Sequence, residues 1–217
     1  MAASPTTACL RRARDKRVYA AVRELMAEVG MRLSMDAVAS RAGCSKQTLY
    51  SRYRSKQELL QRVLQEHLDL TTAHLGAPGG DVRSDLLRFA CEHMERLAEP
   101  HVLPTLQLVA AEAPRFPEEV RALYRDGIDG LMQRLSDWLQ AAIAHGQLRH
   151  DDPHFMAELL LGMIVGMDLE RQRFLAPHRR DADARRAWAE FAVDSFLRAF
   201  APAPPLLSTH QDRSTTR

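Results

Sequence analysis

Cysteine is scarce in this chain of 217 residues: there are three, Cys9, Cys44 and Cys91, odd in number and widely spaced. That excludes a secreted disulfide framework or a zinc knuckle, which need paired or clustered thiols. Long apolar runs are missing too. The longest, Phe155 to Met167, is short and contains Glu158, so it reads as a core helix rather than a membrane span. The N-terminus has arginines but no following hydrophobic segment of a signal peptide, and we expect a cytoplasmic chain with no membrane partner. There is no period-two alternation of useful length and no repeat of fixed length. None of the GxSxG, GxGxxG, P-loop or HExxH signatures occurs, so neither an enzyme nor a cofactor is expected. His150-Asp151-Asp152-Pro153-His154 gathers possible metal ligands, but Pro153 breaks the register that would aim both imidazoles at one ion. The cluster reads as a helix-start loop, and no metal site is assigned.

What is present is helical. Apolar residues make up 46% of the chain, enough to bury a core in one small and one larger unit. Breaks at 76–80, Glu99-Pro100, Pro114 to Pro117, Gly146 to Pro153 and Pro177 divide the region beyond Leu70 into about five helices. We expect an all-α fold with a small unit over residues 14–60 and a larger one over 61–200. A flexible basic arm at 1–13 would precede them, and a disordered tail rich in Pro, Ser and Thr at 201–217 would follow. Charge is unevenly shared. Residues 1–60 carry twelve Lys/Arg against five Asp/Glu, while the remainder carries eighteen against twenty-three. A basic head on an acidic body indicates a polyanion partner for the head alone. Arg11, Arg12, Arg14, Lys16 and Arg17 either reach such a partner or form a solvated basic tail.

Within the head, Val18, Val22, Leu25, Met26 and Val29 recur at helical spacing up to Gly30. Ser34 caps a second helix whose Met35, Val38 and Ala39 face inward until Ala42-Gly43 ends it. Ser45 caps a third, SKQTLYSRY, with Leu49 inward and Lys46, Gln47, Thr48, Tyr50, Ser51 and Arg52 outward. Ser55 and Glu58 form a capping box for a fourth, carrying Leu59, Leu60, Val63, Leu64 and Leu68. Two short helices around a glycine turn, with donors crowded on the free face of the second, suit base edges and phosphates. Lys46, Gln47 and Thr48 are therefore assigned to base edges, and Tyr50, Tyr53 and Lys56 to phosphates. Ser51 and Arg52 lie beside them, and Ser34 and Ser45 are caps that share a phosphate. Cys44, in the turn, is either a small buried thiol or an oxidant sensor.

AVASRAGCSKQTLYSRYRSKQELL resembles the helix-turn-helix of the TetR family of one-component transcriptional regulators, over roughly Arg14 to Leu64. Gln47 departs from the pattern, since many members place a small residue or proline there. Ala111-Glu112-Ala113-Pro114-Arg115-Phe116-Pro117-Glu118 resembles members with an AefR-like C-terminal domain. The resemblance implies a homodimer, most often a repressor, on a pseudo-palindromic double-stranded operator, released by a small-molecule effector. It also implies that the last two helices pack against their copies as a four-helix bundle. The other reading is a helical ligand-binding or protein-interaction module that does not read DNA.

For the body, Phe155, Leu159, Gly162, Met163 and Gly166 in one helix and Trp188, Phe191, Ser195, Phe196 and Ala199 in the last form a surface too wide for one neighbour. It is either a dimer interface or is consumed within one subunit. Met94, Leu97, Leu106, Met132, Leu135, Trp138 and Met163 either enclose a mostly apolar effector cavity or are ordinary core. Cys91, His93, Glu112, Arg115 and His154 are the polar positions that would orient a ligand there.

Overall fold

A computed structural model describes the backbone of residues 5–76 and 79–202, and side chains from residue 13 onward. Among the described residues the fold is all-α. The expected tail lies outside them from 203 on, as does the start of the expected arm at 1–4.

The head begins with α1, Pro5–Val29. Residues from Pro5 onward, expected within the arm at 1–13, lie in α1. Gly30, at φ +57°, ends α1 and opens the 3₁₀ turn Gly30–Arg32. Two short helices follow, α2 (Met35–Arg41) and α3 (Lys46–Tyr50), and then α4 (Lys56–Thr72). Val18, Val22, Leu25 and Met26 of α1 meet Val38 and Ala39 of α2, Leu49 of α3 and Leu59, Leu60 and Val63 of α4 in one buried cluster. Each apolar stripe recurs at three and four residues, so four amphipathic helices bury one face each in a shared core.

Helix α4 does not respect the boundary expected near residue 60. Its first two turns complete the head, and Leu68, further along, belongs to the core of the body. The body continues with α5 (Val82–Leu97), α6 (Val102–Glu112) and α7 (Pro117–Tyr124), and a π-helical stretch at Arg125–Asp129 leads directly into α8 (Gly130–Ala144). The long helix expected from Pro117 is therefore one rod with a wide turn at its glycines. A Cβ on Gly130 would stand 2.9 Å from Leu68 Cδ1, so glycine there lets the rod lie against α4. Arg134 of α8 fastens the pair, its Nη2 2.7 Å from Asp69 Oδ1 and its Nη1 donating to Thr72 Oγ1 at 3.1 Å.

Helices α9 (Pro153–Val165) and α11 (Ala182–Phe200) close the body, and α5 and α8 lie against them. Asp152 caps α9, accepting from the amides of His154 and Phe155, with Pro153 in the first turn. Between them lies a short helix, α10 (Asp168–Arg173), which the sequence reading did not separate from α9. Leu86, Phe89, Leu135, Leu139, Met156, Leu160, Ile164 and Phe196 fill the centre. No helix among the described residues is long and apolar enough to cross a membrane.

Candidate nucleic-acid interface

The hairpin of α2 and α3 is built from local capping. Ser34 Oγ accepts the Ala37 amide at 3.2 Å, and Ser45 Oγ accepts the Thr48 amide at 3.1 Å. Gly43, at φ +63°, makes the turn between them, in a left-handed conformation that costs a side-chain-bearing residue about 1–2 kcal/mol. Two outer ties hold α2. Arg41 grips Glu28 of α1 with both arms at 2.9 Å and reaches Glu24 at 3.1 Å, and these hydrogen bonds hold the Glu28 carboxyl below its ordinary value.

Helix α3 is seated by Leu49, 1% exposed, and is one turn shorter than the sequence suggests. Its outer face presents Lys46, Gln47, Tyr50 and Ser51 to solvent, with Thr48 half-buried beside them. Lys46 Nζ sits 2.5 Å from Asp36 Oδ2, an exposed pair that solvent and salt screen to little net strength. Thr48 Oγ1 shares a 2.8 Å hydrogen bond with Ser45 Oγ, and Ser51 Oγ donates to the Thr48 carbonyl at 2.9 Å.

Three residues expected on this face are used inside the head instead. Tyr53 is 3% exposed, and its hydroxyl donates to Asp15 Oδ1 at 3.0 Å. Burial first, then Tyr19 and Asp15, push its phenol far above the ordinary value, so it stays a neutral donor. Arg52 pairs with the other oxygen of the same carboxylate. Lys56 donates to the Met31 carbonyl at 2.8 Å, closing the end of the 3₁₀ turn. The signal missed was Asp15, the one acid within the basic run Arg11–Arg17. An acid amid five cations is placed to organise them. Glu58 also differs from expectation: its carboxylate accepts the Arg54 amide at 2.9 Å rather than that of the capping Ser55.

The polar positions assigned to an effector are likewise redistributed. Glu112, at the end of α6, accepts the Met31 amide at 2.6 Å and pairs with Arg32 Nε at 3.1 Å, so it clamps the body to the head. Arg115 and His154 are exposed, and so is Glu158. Met94, Leu135 and Trp138 belong to the close-packed core, with the Trp138 indole donating to the Gly76 carbonyl at 2.9 Å. Leu97, Leu106, Met132 and Met163 are half-buried, as is Cys91, whose thiol burial pushes up. Cys44 is also half-buried and packs against the head core. His93 is 7% exposed and stacks on Phe89, and its Nδ1 is buried with no hydrogen-bond partner among the described residues. Burial, and then the charge of His67, lower its value to about 4.

The proposed dimer surface divides in two. Phe155 is 67% exposed, Leu159 48% and Phe191 60%, and Gly162 and Ala199 are also open. Phe196 is fully buried in the subunit's own core and cannot face a partner. Trp188 turns inward, donating its indole N–H to the Met163 and Ile164 carbonyls at 3.0 and 2.9 Å. It covers Gly166, which ends α9 at φ +54° and where a Cβ would meet the ring at 3.1 Å. Gly166 is therefore a packing and helix-stop residue. Met163 and Ser195 are half-buried, Ser195 accepting from Arg198 at 2.8 Å.

The capped hairpin, its solvent-facing third helix and the helical body agree with comparisons of the whole chain. Residues 18–63 match the description "Bacterial regulatory proteins, tetR family", and residues 84–202 match "AefR-like transcriptional repressor, C-terminal domain". The chain belongs to the TetR family of transcriptional regulators. An HTH-type transcriptional regulator of Mycobacterium bovis is 31% identical over 136 residues, which cover 62% of this chain and 65% of that protein. A TetR-family regulator from Mesorhizobium loti is similar in structure at TM-score 0.67 and 24% identity, over 88% of this chain and 98% of its own. The Flavonoid-responsive Regulator FrrA is similar at TM-score 0.65 and 26% identity, over 88% of this chain and 99% of its own.

Proposed function

We propose that this TetR-family regulator is a cytoplasmic homodimer that represses from a pseudo-palindromic operator and is released by a small, mostly apolar effector. The observation that carries the reading is the seating of α3. Buried Leu49 fixes the helix while Lys46, Gln47, Tyr50 and Ser51 project outward, with Thr48 at its first turn. Two such helices about 34 Å apart would enter successive major grooves of one duplex, with Lys46, Gln47 and Thr48 at base edges and Tyr50 and Ser51 at the backbone.

Twofold pairing is supported by the open side of α9 and α11. A Cβ on Gly162 would meet nothing within 4 Å, which leaves a hollow between Phe155 and Leu159 for a second copy to fill. Release by an effector is supported by His93, whose unpaired buried nitrogen would gain a partner from a ligand donor. The likeness to a flavonoid-responsive regulator supports a small, largely apolar molecule. Effector binding shifts the heads only by its differential affinity for the two conformers, and a tenfold release needs about 1.4 kcal/mol.

The test is a gel shift on the DNA upstream of the chain's own gene, against random duplex of equal length. Gln47→Ala is expected to change preference among operator variants while leaving random-duplex binding unchanged. Equal loss on both kinds of DNA would remove Gln47 from base recognition, and no preference for any segment by the unaltered protein would remove the operator reading itself.

A further inference from the structure

At the end of α9, away from His93 and from the hairpin, an open groove runs between α10, the segment after it and α11. Met167, Trp188 and Phe191 give it apolar walls, and Arg171, His178 and Arg179 line it too. Arg179 is the unusual member. Its side chain is 6% exposed, and its guanidinium lies 3.9 Å above the Trp188 ring. It donates no side-chain hydrogen bond to any described residue, and its Nη1 is buried without a partner. The nearest carboxylate oxygen, Asp168 Oδ1, is 3.9 Å from Nη1, beyond hydrogen-bond reach. Asp168 is already engaged, accepting the amides of His178 at 3.0 Å and Arg179 at 3.2 Å and the Gln172 amide group at 3.3 Å.

A guanidinium has five donors, and removing them from water without replacement is costly. Here the group is held in place rather than left loose. The indole face fixes its plane, and the ring is itself held close over Gly166, where a Cβ would meet it at 3.1 Å. A planar fork, pre-positioned beside apolar walls and with exposed Arg171 nearby, has the chemistry of a carboxylate receptor. We propose that this groove binds a small organic carboxylate, its anionic end on Arg179 and Arg171 and its apolar body against Met167, Trp188 and Phe191. The site is distinct from the His93 position. It adds an anionic ligand to a regulator whose effector is otherwise argued to be apolar. Because Phe191 also belongs to the proposed dimer face, the groove lies at the edge of that face, where occupancy and pairing can influence one another.

Intrinsic fluorescence tests this in the full chain, because Trp188 lines the groove and the only other tryptophan, Trp138, is in the core. Phenylacetate and octanoate are titrated up to about 10 mM, a range that captures even millimolar affinity. Their neutral amides serve as controls. The expected result is a saturable change with at least one carboxylate, weakened about tenfold or more in its amide and in Arg179→Gln. Arg171→Ala, on the exposed rim, should weaken the carboxylate with no effect on the amide, and it stands in should Arg179→Gln not fold. Equal binding of acid and amide, or no response to either acid, overturns the proposal. So does sedimentation showing that Arg179→Gln dissociates a dimer while carboxylates have no effect, because the guanidinium would then serve a second copy. None of these readouts involves DNA, so they fail or succeed independently of the operator reading.

Discussion

Replacing Glu112 by alanine should loosen the joint between body and head. The Met31 peptide is held on both sides, its N–H by Glu112 Oε2 at 2.6 Å and its carbonyl by Lys56 at 2.8 Å, and Met31 itself is 1% exposed. Water cannot readily replace the lost acceptor. An orphaned buried donor costs about 1–3 kcal/mol. The ion pair to Arg32 adds little, because that side chain is 57% exposed and a screened surface pair contributes at most about 1 kcal/mol. For a chain of this length the loss corresponds to a fall in Tm of about 2–12 °C. Glu112→Gln keeps an oxygen acceptor and loses only the charge, so it should cost less than half as much. Calorimetry gives the magnitudes, and amide exchange at Met31 gives the location. A cost under about 0.5 kcal/mol for alanine, or equal harm from glutamine and alanine, would refute a buried amide held by Glu112. Gly30 supplies a second route to the same joint. A Cβ there would stand 2.3 Å from Glu112 Oε2, so Gly30→Ala and Glu112→Ala should combine to less than the sum of their separate costs.

Two further outcomes follow from burial. Leu159→Arg places a charge on the exposed α9 face without touching the core, and it should turn a dimer into a folded monomer by sedimentation with Tm little changed at high protein dilution. Acid should destabilise the protein through His93. Its value in the fold, about 4, lies below the ordinary 6.5, so the neutral ring is the folded form. That contribution is complete above about pH 6.5 and is lost as pH falls toward 4, about 3 kcal/mol in all. His67 is shifted the same way, chiefly by burial, so denaturant titrations of His93→Leu should show a flattened but not abolished acid slope.

How far the chain could be read without coordinates depended on the range of each interaction. Caps are local, and Ser34, Ser45 and Ser55 each accept an amide three residues on, where the sequence places it. The inward position of Leu49 is equally local, set by helical periodicity. Tyr53 and Glu112 were misassigned because their partners are remote, Asp15 lying 38 residues away and Met31 lying 81 away. No pattern within a window of one helix can register such a pairing. Phe196 failed for another reason. Helix α11 is apolar on more than one side, so periodicity could not say which stripe turns toward α5 and which, with Phe191, stays outside.

The internal use of Arg52 and Lys56 also changes where phosphate affinity must originate. Both were natural choices by position after α3, yet each is committed, one to Asp15 and the other to the Met31 carbonyl. Exposed cations remain at Arg14, Lys16, Arg17 and Arg54. The first three stand on α1, already helical from Pro5, so less chain entropy is lost in bringing them to a duplex than a flexible arm would lose. Each phosphate neutralised steepens the dependence of log binding constant on log salt by about 0.9. Arg54→Ala or Arg14→Ala should therefore lower that slope by nearly one with Tm unchanged. Lys56→Ala should do the reverse, lowering Tm by removing a partner from a buried carbonyl while leaving the slope of the folded protein intact. A slope that falls with Lys56→Ala at unchanged stability would return that lysine to the DNA.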